Sequence, residues 1–183
     1  MAANVPTLET RRLVLRPISL ADAPQAQALF PKWDIVQFLD AHVPWPYPPD
    51  GALVFYRDVA IPAMERGEAW HWSIRLREAP DQLIGSITLR LGAGKNRGFW
   101  IGKAWQGNGF AAEACDALMA FWFEELGQHL LRVEKAATNE ASRKISEREG
   151  MRLVATEERT FVGGKMLAEV WELTAEEWRA RKR

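Results

Sequence analysis

Gln106-Gly107-Asn108-Gly109-Phe110-Ala111 stands between an aromatic run, Arg97 to Gly102, and an amphipathic run from Phe110 to Leu126. The order is strand, glycine loop, helix. The first turn of a helix presents N–H groups without intrahelical partners and carries partial positive charge, so it holds a phosphate when the preceding loop lets the ligand close. Gly107 and Gly109 permit that approach, because neither carries a Cβ. Gly107-x-Gly109-x-x-Ala112 also fits the dinucleotide fingerprint, which asks for an acidic residue about 20 positions on, near the end of the next strand. The next acidic strand residue, Glu134, comes 27 positions after Gly107 and in mid-strand. A plain tight turn before a surface helix is a third reading.

Composition bounds the rest. The 183 residues suffice for one domain with a single core, and we read 1–183 as one domain. Hydrophobic residues make up 48% and charged residues 26%, with 24 basic against 24 acidic, which argues against direct nucleic-acid or membrane-surface binding. The tail Arg179, Arg181, Lys182, Arg183 is basic but short. A single cysteine, Cys115, excludes an internal disulfide and suits a reducing compartment. Met1 to Thr10 lacks the features of a signal peptide, and no apolar run approaches membrane-spanning length, so a cytoplasmic protein is expected. No P-loop, HExxH or CxxC pair supports triphosphate or zinc chemistry, and no metal is expected.

Taken in order, Arg12 to Pro17 alternates as a first strand, and Asp22 precedes a helical pattern through Phe30, with a short helix around Ile35 to Leu39. Pro44, Pro46, Pro48 and Pro49 forbid a regular element around Trp45 and Tyr47; this rigid loop is a lid over a cleft or a plug for the core edge. A helix near Ala52 to Arg66 is expected to bend or break at Pro62. Trp70, Trp72, Ile74 and Leu76 alternate with His71, Ser73 and Arg75, which predicts a half-buried strand. Leu83 to Leu91 and Arg97 to Gly102 complete an antiparallel meander. The long helix buries Phe110, Ala114, Leu118, Phe121 and Trp122 and turns Glu113, Asp116 and Glu124 outward. Leu130 to Ala137 is a strand, and the crossover implies that it runs parallel to Arg97 to Gly102. Asn139 caps a helix ending at Gly150, Gly163-Gly164 join a final hairpin, and Thr174 caps a terminal helix bearing Trp178.

Four ordered segments then carry a family resemblance. Gly98-Phe99-Trp100-Ile101-Gly102 resembles a G-Y-W-I strand, and Trp105 to Ala114 resembles W-G-x-G-Y-A-x-E-A, with Gln106 to Ala111 also readable as Gln-x-x-Gly-x-Ala. Asn139-Glu140-Ala141-Ser142 with Gly150-Met151 resembles N-x-x-S followed by G-F. Gly164-Lys165 with Leu173 to Trp178 is similar to a final hairpin and helix. Together these resemble the GNAT N-acetyltransferase superfamily, RimJ/RimL-like branch, over roughly residues 83 to 178.

The resemblance implies an α/β (α+β) fold: a mixed, mostly antiparallel twisted sheet with one parallel strand pair and helices on both faces. It implies acetyl-CoA as co-substrate, bound where those two strands part. Phe99, Trp100 and Ile101 would bond the pantetheine through their backbone, amides of Gln106, Gly107, Asn108, Gly109, Phe110 and Ala111 would hold the pyrophosphate, and Asn139 would contact the pantetheine or act as a cap alone. Trp45, Tyr47 and His71 are candidate acceptor contacts, and Ser142 is the candidate proton donor to the leaving thiolate. Two departures matter. Many relatives carry a glutamate just before G-Y-W-I, where this chain has Asn96-Arg97, and a tyrosine seven residues after the asparagine, where it has Ser146. Losing a base costs least for a weakly basic amine, so a protein N-terminal α-amine or a weakly basic small-molecule amine is the expected acceptor. A CoA-binding module without catalysis is the alternative, and exposed tryptophans and the terminal hairpin leave surface for a homodimer.

Overall fold

The computed structural model describes residues 5–181; the first four residues of Met1 to Thr10, and Lys182 and Arg183 of the basic tail, lie outside the described residues. In chain order the elements are β1 (Leu8–Glu9), β2 (Leu13–Pro17), α1 (Ala23–Leu29), α2 (Trp33–Val36), α3 (Gly51–Phe55), α4 (Ile61–Glu65), β3 (Ala69–Leu76), β4 (Ala79–Arg90), β5 (Arg97–Ile101), α5 (Phe110–Ala120), β6 (Leu130–Ala136), α6 (Glu140–Arg148), β7 (Arg152–Phe161), β8 (Gly164–Thr174) and α7 (Ala175–Arg181). The strands form two antiparallel sheets, ordered β1-β2-β3-β4-β5 and β6-β8-β7.

Helices cover both faces of the larger sheet. On one face Trp70 and Trp72 meet Phe121 edge-on, at 6.1 and 5.4 Å between ring centroids. On the other, β3 was expected to meet solvent, yet it is buried from Ala69 through Arg75. Its polar side chains face a second layer and are satisfied there. Arg75 pairs with Asp22 and donates to Ser73 Oγ at 3.0 Å, while the ring of His71 packs edge-on against Phe55. Polar alternation marked a hydrogen-bonded interior face, since buried polar groups persist where they find partners.

The helix through Pro62 stays continuous by widening. Proline lacks the N–H for the preceding turn and crowds its carbonyl, and a π turn, Tyr56–Ala60, carries the chain past it into α4. A second π turn, Phe121–Glu125, extends α5 and buries Phe121, Trp122 and Phe123 together before Gly127 ends the helix at φ +62°. The β7–β8 turn falls on Val162 and Gly163, one residue earlier than expected. Their N–H groups donate to Leu39 and Gln37 carbonyls at 2.9 Å each, and a Cβ on Gly163 would lie 2.8 Å from the Gln37 oxygen. The hairpin tip thus rests on the chain leaving α2.

The expected parallel strand pair is reduced to a single point. No ladder joins β5 to β6 among the described residues. Asn96 N–H donates to the Arg132 carbonyl at 2.8 Å, and Asn96 Oδ1 accepts from Arg132 N–H at 2.8 Å. One asparagine therefore bridges the two sheets, and the strands beyond it belong to separate sheets.

Candidate active site

The glycine loop has the backbone that its sequence demands. Gly107 and Gly109 both adopt φ +78°, a left-handed conformation that side chains rarely tolerate, and Gly109 is the residue from which α5 begins. A Cβ at Gly107 would enter open space, with nothing within 4 Å, which is the space a ligand would use. Gln106 is committed elsewhere: its N–H donates to Lys103 O at 3.3 Å and its Nε2 to Ile101 O at 2.8 Å. Asn108 Nδ2 holds the carbonyls of Trp105 and Gln106 at 3.1 Å each. The side chains brace the loop from within, and a helix start behind open glycines is of the kind that can hold an anion.

Arg12 and Glu113 lock this loop from behind. Glu113 was expected to face solvent. Instead its carboxylate accepts from Thr10 Oγ1 at 2.6 Å, Arg12 N at 2.8 Å and Arg12 Nε at 2.6 Å. These bonds outweigh burial and hold its carboxyl below the usual range. Arg12 Nη1 also donates to Asn108 O at 3.1 Å, and the guanidinium stacks over Phe110, 4.6 Å from the ring centroid. A diphosphate fits this arrangement: open glycines, a helix start and a guanidinium close behind.

Next to the loop, β5 offers a free edge. Gly102 N–H donates to Ile84 O at 2.8 Å and Trp100 pairs with Ser86, so alternation turns the backbone groups of Arg97, Phe99 and Ile101 toward the gap before β6. Beside that edge lies a cleft of about 730 Å³. Gly98, Phe99 and Trp100 line it from β5, His71, Ser86 and Thr88 from the sheet floor, Tyr47 from the proline loop, Phe55 from α3, and Glu134 from β6. Trp45 does not line the cleft; it is 42% exposed and packs on Trp33, 5.7 Å between centroids. Tyr47 does, edge-on to Phe30, which in turn meets Trp100. His71 bonds Thr88 Oγ1 through Nδ1 at 2.9 Å, and burial, aided by Arg90, lowers its pKa to about 4. Its imidazole is neutral at physiological pH.

The two residues standing where relatives carry a glutamate have structural work. Asn96 bridges the sheets, and Arg97 is buried against Glu149. Asp40, Asp50 and Glu134 all bring carboxylates to the cleft; Glu134, from β6, pairs with Lys95 at 2.9 Å, and Lys95 also holds Asp40 at 2.9 Å. Asp40 is held below the usual carboxylate range; burial opposes this, but the His42 N–H and Lys95 prevail. No local pattern marks Glu134 beyond its place in a strand, because what brings it to the cleft is the divergence of β6 from β5.

On the other side of the gap, Asn139 caps α6, its Oδ1 accepting from Ser142 N–H at 3.3 Å. Ser142 lies in the first turn, and its carbonyl accepts from Lys135 Nζ at 2.8 Å. Lys135 also bonds Ser146 Oγ, so the serine in place of tyrosine is fully buried and occupied by a lysine. Burial, then the nearby Arg97, lowers the Lys135 pKa to about 7. Cys115 is buried, and its thiol is pushed up to about 12, first by burial, which removes it as a nucleophile.

Residues 12–152 match the family described as Acetyltransferase (GNAT) domain. YdaF of Bacillus subtilis (strain 168), provisionally named a ribosomal N-acetyltransferase, is 35% identical over 100 residues, a match spanning 52% of this chain and 55% of that protein. The chain thus matches about half the length of this curated relative. Among solved structures, RimL, the ribosomal L7/L12 α-N-protein acetyltransferase in complex with coenzyme A, superposes with TM-score 0.79 at 17% identity, covering 94% of this chain and 99% of that one. An acetyltransferase from Agrobacterium tumefaciens str. C58 gives TM-score 0.72 at 27% identity over 93% and 95%. With its glycine loop, its parted strands and a family match over most of its length, the chain belongs to the GNAT acetyltransferases, enzymes that draw their acetyl group from acetyl-CoA.

Proposed function

We propose that this protein transfers acetyl from acetyl-CoA to a primary amine, and that its preferred acceptor is the α-amine at a protein N-terminus. The observation that carries the reading is the position of β5, whose far end is tied to the phosphate loop through Ile101 and Gln106 while Gly98 to Trp100 line an open cleft. A thioester lying along that strand would meet an acceptor in the cleft. The amine forms its C–N bond to the acetyl carbon as the C–S bond breaks, the nitrogen loses a proton and the thiolate gains one.

Backbone N–H groups on the free edge of β5, at Phe99 or Ile101, are suited to the oxygen charge that develops. Ser142 is our candidate for protonating sulfur, and Glu134, beside the β5 edge and sharing Lys95 with Asp40, is our candidate to take the departing proton by way of water. With an amine pKa of about 7.7–8.0, roughly a tenth of an α-amine is neutral at pH 7, against about one part in 2,500 of a lysine at about 10.4. With Glu134 and Asp40 both paired to Lys95, the site favours the acceptor that needs least deprotonation. The names of YdaF and RimL, which refer to ribosomal N-acetylation, accord with a protein acceptor.

The test is acetyl-CoA turnover with paired peptides, one with a free N-terminus and no lysine, the other with a blocked N-terminus and an internal lysine. Thiol release and acetylation of the first peptide are expected. Preferential acetylation of the lysine peptide would overturn the α-amine assignment.

A further inference from the structure

Three residues of β4 alternate onto the floor of the cleft: Ser86, Thr88 and Arg90. The two hydroxyls are used, Ser86 Oγ donating to Trp72 O at 3.0 Å and Thr88 Oγ1 bonding His71. Arg90 is anchored but unused. Its N–H donates to Asn96 O at 2.8 Å and its carbonyl accepts from Asn96 Nδ2 at 3.1 Å, yet its guanidinium makes no hydrogen bond or ion pair among the described residues. The other cationic side chains of the cleft wall are committed: Lys95 lies between Asp40 and Glu134, and Arg97 is paired with Glu149. Asp40 lies in the field of Arg90 but spends its oxygens on Lys95 and His42.

Resting on the N-terminal acceptor reading, we propose that Arg90 is a specificity residue that binds an acidic side chain at the second or third position of the acceptor peptide. The register sets that position. Thr88 pairs with Gly98 and Ser86 with Trp100, so Arg90 lies two and four residues beyond the level where the amine must react, about 7 to 14 Å at roughly 3.4 Å per residue. An extended peptide advances by about the same rise, which brings its second or third side chain within reach of the guanidinium. The carboxylate of a free amino acid is too close to its own amine to span that distance. A planar fork of donors suits a carboxylate, which it can take through two parallel bonds. Val54, Phe55 and Val59 give the same cleft an apolar wall for the intervening residues.

Peptides that differ in one residue, aspartate, asparagine or lysine at position two or three, are compared by kcat/KM with acetyl-CoA, with free aspartate as a separate acceptor. The wild type is expected to favour the aspartate peptides over their asparagine counterparts by about tenfold, as for one charge-assisted contact, and to leave free aspartate poorly acetylated. R90Q brings the aspartate-to-asparagine ratio near one, and R90E reverses the ranking toward lysine. A ratio near one in the wild type, an unchanged ranking in R90E, or free aspartate equal to the aspartate peptides overturns the proposal. Calorimetric binding of the same peptides to the CoA-loaded protein gives the ranking without turnover: failure to acetylate any peptide sinks the α-amine reading, whereas an absent acidic preference in binding sinks the role of Arg90.

Discussion

Arg97 and Glu149 close a bidentate ion pair, Nη1 to Oε1 at 2.9 Å and Nη2 to Oε2 at 2.8 Å, with side chains only 2% and 1% exposed. The pair ties β5, whose edge must stay open, to the end of α6. Removing one partner strands a buried charge, which costs about 3–5 kcal/mol. E149A is therefore expected to lose about that much in urea unfolding, whereas the apolar double variant R97M/E149L recovers most of it. Equal losses in both would show that the charge itself is not what the fold depends on.

Arg12 and Glu113 hold the glycine loop through charged hydrogen bonds. In R12A the loop loses its bond to Asn108 O and its cover over Phe110. A loss of about 1.5 kcal/mol, ordinary for such a bond, corresponds to roughly tenfold weaker CoA binding. Isothermal titration with CoA reads this directly, and the expected signature is a raised Kd with kcat at saturation little altered.

Gly107 and Gly109 share the same φ of +78° but differ in surroundings. An alanine at either strains the backbone by about 1–2 kcal/mol. G109A also brings a Cβ to 3.5 Å from Arg12 Nη2, an ordinary contact, whereas G107A places its methyl in the open space above the loop. Similar losses of thermal stability are expected from both, with the larger loss of CoA affinity in G107A. The reverse order of affinities would move the diphosphate away from Gly107.

Lys135 makes stability depend on pH. Its pKa of about 7 lies below the ordinary lysine value of 10.5, so between those values the unfolded chain binds a proton that the folded chain does not. Stability therefore rises with pH across that window, by at most about 1.4 kcal/mol per unit. The penalty for burying the charge is in full force below pH 7 and fades toward pH 10.5. K135M is expected to flatten the slope measured by urea unfolding from pH 7 to 10, and a slope unchanged by the substitution would show that another group sets it.

Ser142 and Ser146 separate by readout. S142A, in the first turn of α6, is expected to reduce kcat by about a hundredfold if its hydroxyl protonates the thiolate, with CoA affinity retained. S146A removes a buried partner of Lys135 and is expected to act on stability, by about 1–3 kcal/mol. A kcat loss confined to S146A would transfer the proton-donor role.

Much of this was legible from the residues. Gly107 and Gly109 predict a left-handed loop because no other residue adopts it cheaply, and Asn139 and Thr174 predict helix starts because their side chains satisfy local N–H groups; both kinds of signal are short-range. Strand periodicity placed β3, β4 and β5 in one meander for the same reason. The cleft was not legible, because it arises between elements far apart in the chain. Periodicity shows that His71, Ser73 and Arg75 share a face but cannot show that the face is covered. It marks Asn96 as a loop residue but not as the bridge between the sheets, and it leaves Glu134 and Arg90 as ordinary strand charges. The sequence alone determined where the backbone must turn and which residues could open a helix; tertiary structure decided which charges are paired, which cation is left open and where β5 and β6 part, because Coulomb partners and strand divergence depend on distances that no local pattern encodes.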